Sequence, residues 1–316
     1  RPAMTTTALP DTLCHLNGAT LPLRDAKISV LDRGFIFGDG IYEVVPVYGR
    51  KLFRFDQHMA RLARSLAELR ITNPYTPAQW LEIATKLIAT HAYSTRAEGQ
   101  ISTQKDGVLP SQLIYIQVTR GVAPRDHVML PDLIPTVFVM INKMTMPSAE
   151  QRDQGVACVT AEDFRWKKAH IKSTSLLGAV FARQISFDAG AVETVMFRDG
   201  YLSEAAASNV WVVKNGKVLG APKDNLVLEG IRYGLIEELC REAGIGFELR
   251  RISRDEVFNA DELLLSSATK EVLAITKLDD KPVGNGAARG LPGPVYARLY
   301  EAYQRAKPAP VTITAA

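Results

Sequence analysis

Cysteine is scarce in this chain of 316 residues: Cys14, Cys158 and Cys240 are the only three, far apart and without a CxxC pair. That excludes a disulfide framework and a zinc site of the usual spacing, and it fits a reducing compartment. Long apolar runs are missing, so no segment reads as membrane-spanning, and no signal-peptide pattern opens the chain. The expectation is a cytoplasmic protein. Polybasic runs are missing too, and the formal net charge is only +4. Nucleic acid is therefore excluded as the main partner, whereas small anionic ligands suit the charge. There is no internal repeat and no low-complexity tract. Arg1 to Ala3 precede Met4 and read as an added remnant.

What is present is an ordinary globular composition, 47% hydrophobic and 23% charged, over a length sufficient for two cores. Asn17-Gly18 between two short β-like runs predicts a hairpin over 13–23. Three glycines (Gly34, Gly38, Gly40) precede alternating strand residues from Ile41 to Val47. Asp56 is placed to cap a helix carrying Met59, Leu62, Leu66 and Leu69, and Thr76-Pro77 to open the next. Residues 94–112 are polar and rich in Gly, Ser and Gln, which predicts an exposed loop or extra hairpin. Strands follow at 113–119 and 136–141, and Pro147 marks a boundary within 144–150. Beyond it come a strand at 155–160, a helix ending near Gly190, and a meander turning at Asp199-Gly200 and Asn215-Gly216. Helices at 231–243 and 294–306 and strands at 246–252 and 262–266 complete the pattern. Hairpins dominate and regular βαβ units are missing, so the expected class is α+β in two domains, 4–143 and 151–316, joined by 144–150.

The segment HIKSTSLLGAVF places Lys172 where a β-branched run gives way to a helical pattern with Leu176, Leu177, Val180 and Phe181 on one side. Ser173 and Thr174 are the candidate caps. A lysine held there by desolvation becomes a nucleophile towards an aldehyde; as one of 38 basic residues it is equally a solvated charge. An aldehyde cofactor such as pyridoxal phosphate also needs an acid for its ring nitrogen, a phosphate site and a group that recognises substrate. Glu204 in YLSEAAASNVWVV suits the first, or is a surface glutamate beside alanines. Arg61 suits phosphate through its planar fork, but Arg64 and Arg70 share its helix and the pattern does not choose among them. Gly230 in LEGIRYGL precedes a helix whose free amides suit an anion, and SSATKEV adds hydroxyls and amides. Arg125 and His127 lie two apart on a loop, positioned to grip a carboxylate or simply to be solvated.

Taken together, DRGFIFGDGIYEV, HMAR, IYIQVTRG with PRDH, EDFRW…IKSTSLLGAV, LSEAAASNVW, LEGIR and SSATKEV stand in an order and spacing that resembles the class IV pyridoxal-phosphate aminotransferases. Within that group the chain is most similar to the D-amino-acid aminotransferases, from about Leu13 to the last helix. The resemblance implies a fold type IV, two-domain α+β enzyme with the cofactor between the domains. Lys172 matches the Schiff-base lysine and proton carrier, Glu204 the partner of the ring nitrogen, and Arg61 the phosphate arginine. Leu228 matches a residue that packs on the ring. Ile231, Arg232, Ala268 and Thr269 fall where the family binds phosphate by amides and hydroxyls. Tyr42, Arg125 and His127 match the trap for the substrate α-carboxylate, the latter pair reaching across a homodimer interface.

Two departures are visible: Arg232-Tyr233 replaces threonine-arginine, and Ala268-Thr269 carries one hydroxyl fewer than the family pair. The implied activity is amino transfer from D-amino acids to 2-oxo acids, such as D-alanine with 2-oxoglutarate giving pyruvate and D-glutamate. The rival readings are a branched-chain L-amino-acid aminotransferase, an aminodeoxychorismate lyase, and a non-catalytic cofactor-binding protein.

Overall fold

The computed structural model describes residues 10–97 and 109–311, so most of the polar 94–112 stretch lies outside the described residues. They form two compact units, the first up to Met144 together with the segment from Ala309, the second Thr145–Pro308. Residues 309–311 therefore belong to the first unit rather than the second. Leu109 N donates to the Val311 carbonyl, and Gly49 leaves room for the Ala309 carbonyl, where a Cβ would approach to 2.3 Å.

In the first unit β1 (Leu13–Leu16) and β2 (Ala19–Pro22) form the expected hairpin, with Asn17 and Gly18 both at positive φ. A five-residue helix not evident in the sequence pattern, α1 (Arg33–Phe37), precedes β3 (Gly40–Tyr48) and β4 (Lys51–Leu52). Next come α2 (Phe55–Glu68), α3 (Pro77–Ala97), β5 (Gln112–Thr119) and β6 (Thr136–Lys143). The six strands make an antiparallel sheet in the order β2-β1-β6-β5-β3-β4. Ile41, Val45, Ile114, Ile116, Val137 and Val139 alternate into its core. Asp56 does not cap α2: Arg54, at φ 56°, occupies that position, and Asp56 sits in the first turn, where it complements the helix dipole. Thr76 and Gln79 do close a reciprocal box on α3, ahead of Pro77.

The second unit opens with α4 (Ala149–Gln154), β7 (Val156–Glu162), α5 (Leu177–Asp188), β8 (Glu193–Arg198) and β9 (Tyr201–Ala205). It continues with β10 (Asn209–Lys214), β11 (Lys217–Gly220), α6 (Ile231–Glu242), β12 (Phe247–Leu249) and α7 (Arg254–Phe258). β13 (Glu262–Ser267), β14 (Glu271–Leu278), β15 (Lys281–Pro282) and α8 (Pro294–Ala306) complete it. The sheet runs β12-β11-β10-β13-β14-β7-β8-β9, with β15 on β14.

The sequence pattern predicts no βαβ unit, yet β11 and β12 pair in parallel through α6, and β7 and β8 pair in parallel through α5 to make another. Its first half is an irregular segment, 163–176, which conceals the repeat in the sequence. Neither Ser173 nor Thr174 caps α5. Ser173 N bonds to the Ile171 carbonyl and Leu176 N to that of Thr174, so tight turns use up these residues and the helix starts at Leu177. The buried side of α5 is Ala182 and Ser186; Leu177, Val180 and Phe181 face outward.

β13 also governs the last helix. The buried Glu262 carboxylate accepts from Val295 N at 2.8 Å and Tyr296 N at 2.9 Å, satisfying two amides at the start of α8. Gly293 makes the approach possible, since a Cβ there would lie 2.2 Å from Glu262 Cδ. Glu262→Ala should leave both donors unpaired and cost about 2 kcal/mol or more. A thermal-melt midpoint lower by roughly 4–8 °C is the expected reading; an unshifted midpoint would show that water replaces the carboxylate without loss.

Candidate active site

In the first unit the alternation of β3 sends Tyr42 to one face and Glu43 to the other. Tyr42 stacks against Tyr115 with centroids 5.9 Å apart. Glu43 is fully buried between Ile41 and Val45 and faces α2. His58 and Arg61, three apart on that helix, meet it together. Arg61 Nε and Nη2 donate to Oε1 and Oε2 at 2.7 and 2.8 Å, and His58 Nδ1 lies 2.7 Å from Oε2. This selects Arg61 over its neighbours, for Arg64 and Arg70 are exposed. The readable signal is a glutamate on the apolar face of a strand, which needs a cation from the helix packed on it.

Burial acts to raise the Glu43 carboxyl, but Arg61 and His58 outweigh it and hold the group well below the usual carboxylate range. Arg125 and His127 sit on the exposed loop between β5 and β6, and both lie against one ring. The Arg125 guanidinium is 5.3 Å from the Phe37 centroid and the His127 ring 5.1 Å. The loop thus brings a cation and an imidazole to the same place.

In the second unit Glu204 is 4% exposed at the end of β9, which sets aside its reading as a surface residue. Three donors hold it: Arg165 Nη1 at 2.7 Å, Asn209 Nδ2 at 3.0 Å and Leu228 N at 3.1 Å. Burial pushes its carboxyl above the ordinary value; Arg165 and the Leu228 amide pull the other way without cancelling that effect. Arg165 is shared, because it also donates to both oxygens of Asp163.

Asn209 draws the remaining residues around this acid. It opens β10 opposite Ser266, and its amide also donates to the Leu228 carbonyl at 3.0 Å. Leu228 leads directly into Gly230 and the start of α6, where Ile231 and Arg232 supply the first amides and no side chain caps them. Ser266 leads into the turn carrying Ala268 and Thr269, between β13 and β14. The Arg232 side chain points away into the core, donating to Tyr303 Oη at 2.9 Å, so only its backbone belongs to this cluster. Lys172 is half-buried in the segment between Arg165 and α5, and Gly178 packs against the Arg165 side chain, a Cβ there reaching 3.0 Å. Arg165 and Asn209 are not singled out by the sequence; EDFRW and SNVW contain them, but nothing in the local pattern marks them as the holders of a buried acid.

A model of the family described as amino-transferase class IV matches residues 40–278. The chain belongs to the class IV aminotransferases. This aminotransferase is 35% identical over 288 residues to the D-alanine aminotransferase of Bacillus licheniformis, covering 91% of this chain and 94% of that protein. Its fold is similar to the T.th. branched-chain amino acid aminotransferase with pyridoxamine 5′-phosphate, at a TM-score of 0.79, 24% identity and 94% coverage of each chain. It is also similar to the fold IV-transaminase CpuTA1 of Curtobacterium pusillum, at a TM-score of 0.73, 24% identity and coverage of 90% and 92%. At such identities these structures establish the fold, the α+β arrangement of fold type IV.

The aminotransferase class works with pyridoxal 5′-phosphate. The second unit fits that group on its own geometry: a buried acid for a ring nitrogen stands beside an uncapped helix start for a phosphate. Gly230 lies between them, in a place that a Cβ would fill by meeting Asn209 Oδ1 at 2.1 Å. Among the described residues no cluster suits a metal ion, and no helix is long and apolar enough to cross a membrane.

Glu43 gives a pH signature. Its folded-state pKa is depressed, so the stability it contributes is present above the unfolded value of about 4.3 and is lost as pH falls below it. The melting-temperature gap between the natural protein and Glu43→Gln should be wide at pH 6 and narrow steadily from about pH 4.3 down to pH 3. A gap that stays constant over that range would show that the pair adds nothing through its charge.

Proposed function

We propose that this enzyme moves amino groups from D-amino acids to 2-oxo acids, D-alanine and 2-oxoglutarate among them. The observation that carries this reading is the Arg125–His127 pair gathered on the Phe37 ring, a ready grip for an α-carboxylate. The D-alanine aminotransferases among its relatives support it.

When bound, pyridoxal phosphate supplies an electron sink that makes the substrate α-hydrogen acidic. Lys172 would hold the cofactor, and its Nζ would take the proton from the substrate α-carbon. Glu204 would face the ring nitrogen and favour its protonated form, since a carboxylate buried this deeply favours a cationic partner strongly. Leu228 would pack on the ring. In the second unit the amides of Ile231 and Arg232 and the turn at Ala268 and Thr269 would bind phosphate; in the first, the Arg61 guanidinium, its plane fixed by Glu43, would serve as a phosphate cation. Tyr42, Arg125 and His127 would orient the carboxylate and so select the hand of the substrate.

A branched-chain L-amino-acid aminotransferase is the second reading, favoured by the names of the structural neighbours. The same lysine, glutamate and arginine serve both. We also propose a homodimer. Leu177, Val180 and Phe181 in one unit, and Val30, Phe35 and Ile134 in the other, are exposed apolar side chains of the kind a subunit contact covers. Three buried free thiols suit the cytoplasm.

Lys172→Ala should lose turnover by at least about a thousandfold, in line with removal of a nucleophile that is also the proton carrier, while the melting temperature stays near that of the natural protein. Unchanged turnover would remove Lys172 from the mechanism. Assay of D-alanine against L-leucine, each with 2-oxoglutarate, should show turnover with the D-acid; turnover with L-leucine alone would establish the second reading.

A further inference from the structure

α1 has no place in the chemistry above, yet it holds the loop that carries the grip. Its start is fixed by Asp32, fully buried, which accepts from Gly34 N at 2.8 Å. Arg33 N donates to the Gly121 carbonyl at 2.9 Å, at the base of the loop. The Arg33 side chain, 2% exposed, donates from Nε to Asp39 Oδ2 at 2.8 Å and from Nη1 to the Asp126 carbonyl. Asp39 is held in turn by Arg120, through Nε at 2.7 Å and Nη2 at 3.1 Å. Asp126 is the residue between Arg125 and His127, so a buried guanidinium anchors the peptide joining the two gripping side chains. The last residue of α1, Phe37, then supplies the ring that both side chains touch, and Arg33 itself stands 4.9 Å from that ring's centroid.

Given the reading of Arg125 and His127 as carboxylate binders, we propose that Phe37 is a positioning residue for the substrate carboxylate, with Arg33 as its support. An exposed arginine samples many rotamers, and ordering it on binding lowers affinity. A ring face attracts a guanidinium and limits that sampling before substrate arrives. The same ring meets the imidazole at 44°, so the two groups share one platform. Phe37 acts on affinity through Arg125 and His127 and has no part in proton transfer.

The test uses the holoenzyme and the first half-reaction with D-alanine, followed in single turnovers by the bleaching of the lysine-bound cofactor. Arg125→Ala with His127→Ala should raise the half-saturating D-alanine concentration at least tenfold. Phe37→Leu should raise it three- to tenfold, with the saturating rate within twofold and the melting temperature little changed. In the background lacking both gripping side chains, Phe37→Leu should have no further effect. Phe37→Tyr, which keeps the ring, should stay within twofold of the natural enzyme, and it keeps the test decisive if the leucine variant folds poorly. If removing the grip leaves half-saturation unchanged, the carboxylate reading fails and this inference with it. If the grip matters but Phe37→Leu has no effect, or has the same effect in both backgrounds, the platform alone is overturned.

Discussion

A carboxylate removed from water has to be surrounded by donors, and two such carboxylates shape the chemistry-bearing parts of this chain. Glu204 and Glu43 are both buried, yet their environments push them in opposite directions. Glu43 receives two prongs of Arg61 and the imidazole of His58, and the opposite charge outweighs desolvation. Glu204 receives one prong of an arginine that gives its other contacts to Asp163, plus two neutral donors, and desolvation prevails. The difference lies in the donors: an arginine fork with a histidine holds one carboxyl below its ordinary range, and a single arginine prong with two neutral donors leaves the other above it.

That contrast fits the work proposed for each. An acid that faces a ring nitrogen gains from incomplete compensation, since an incoming cationic N–H completes its shell and is held tightly for that reason. An acid whose task is to fix an arginine gains from being compensated already, because nothing more is asked of it. Asn209 connects the first acid to its surroundings. By bonding Glu204 and the Leu228 carbonyl at once, it ties the end of β9 to the approach of α6, and its pairing opposite Ser266 sets the β13–β14 turn beside them. Three stretches remote in sequence meet because one amide has hydrogen atoms for two acceptors.

The features legible from sequence are those encoded within a few residues. Asn17-Gly18, Asp199-Gly200 and Asn215-Gly216 each adopt the paired positive φ of a tight hairpin turn, and the strands flanking them follow. Pro77 after Thr76 marks a helix start for an equally local reason. β14 is hidden because it is buried almost throughout and lacks alternation, and because its first residues read as part of a polar cluster. The start of α5 is not legible because Ser173 is held in a turn before the helix begins, a condition set by the whole 163–176 segment. Lys172, Glu204 and Arg61 emerge from the order of motifs; Arg165 and Asn209 become visible only when distant strands and helices are brought together.

The positioning network in the first unit follows the same logic in a more exposed setting. Arg125 and His127 lie on a loop, where a side chain has little around it to fix a rotamer. The fold answers with a buried arginine on the peptide between them and an aromatic ring beneath both. Gly121 closes the base of the loop at φ 103°, with the Ile134 carbonyl 2.1 Å from where a Cβ would stand, so the two ends of the loop converge just below the gripping pair. An exposed site on a loop need not be loose. Its order comes from Asp39, which accepts from Arg33 and Arg120 together, while the buried Arg33 guanidinium directs another donor to the Asp126 carbonyl.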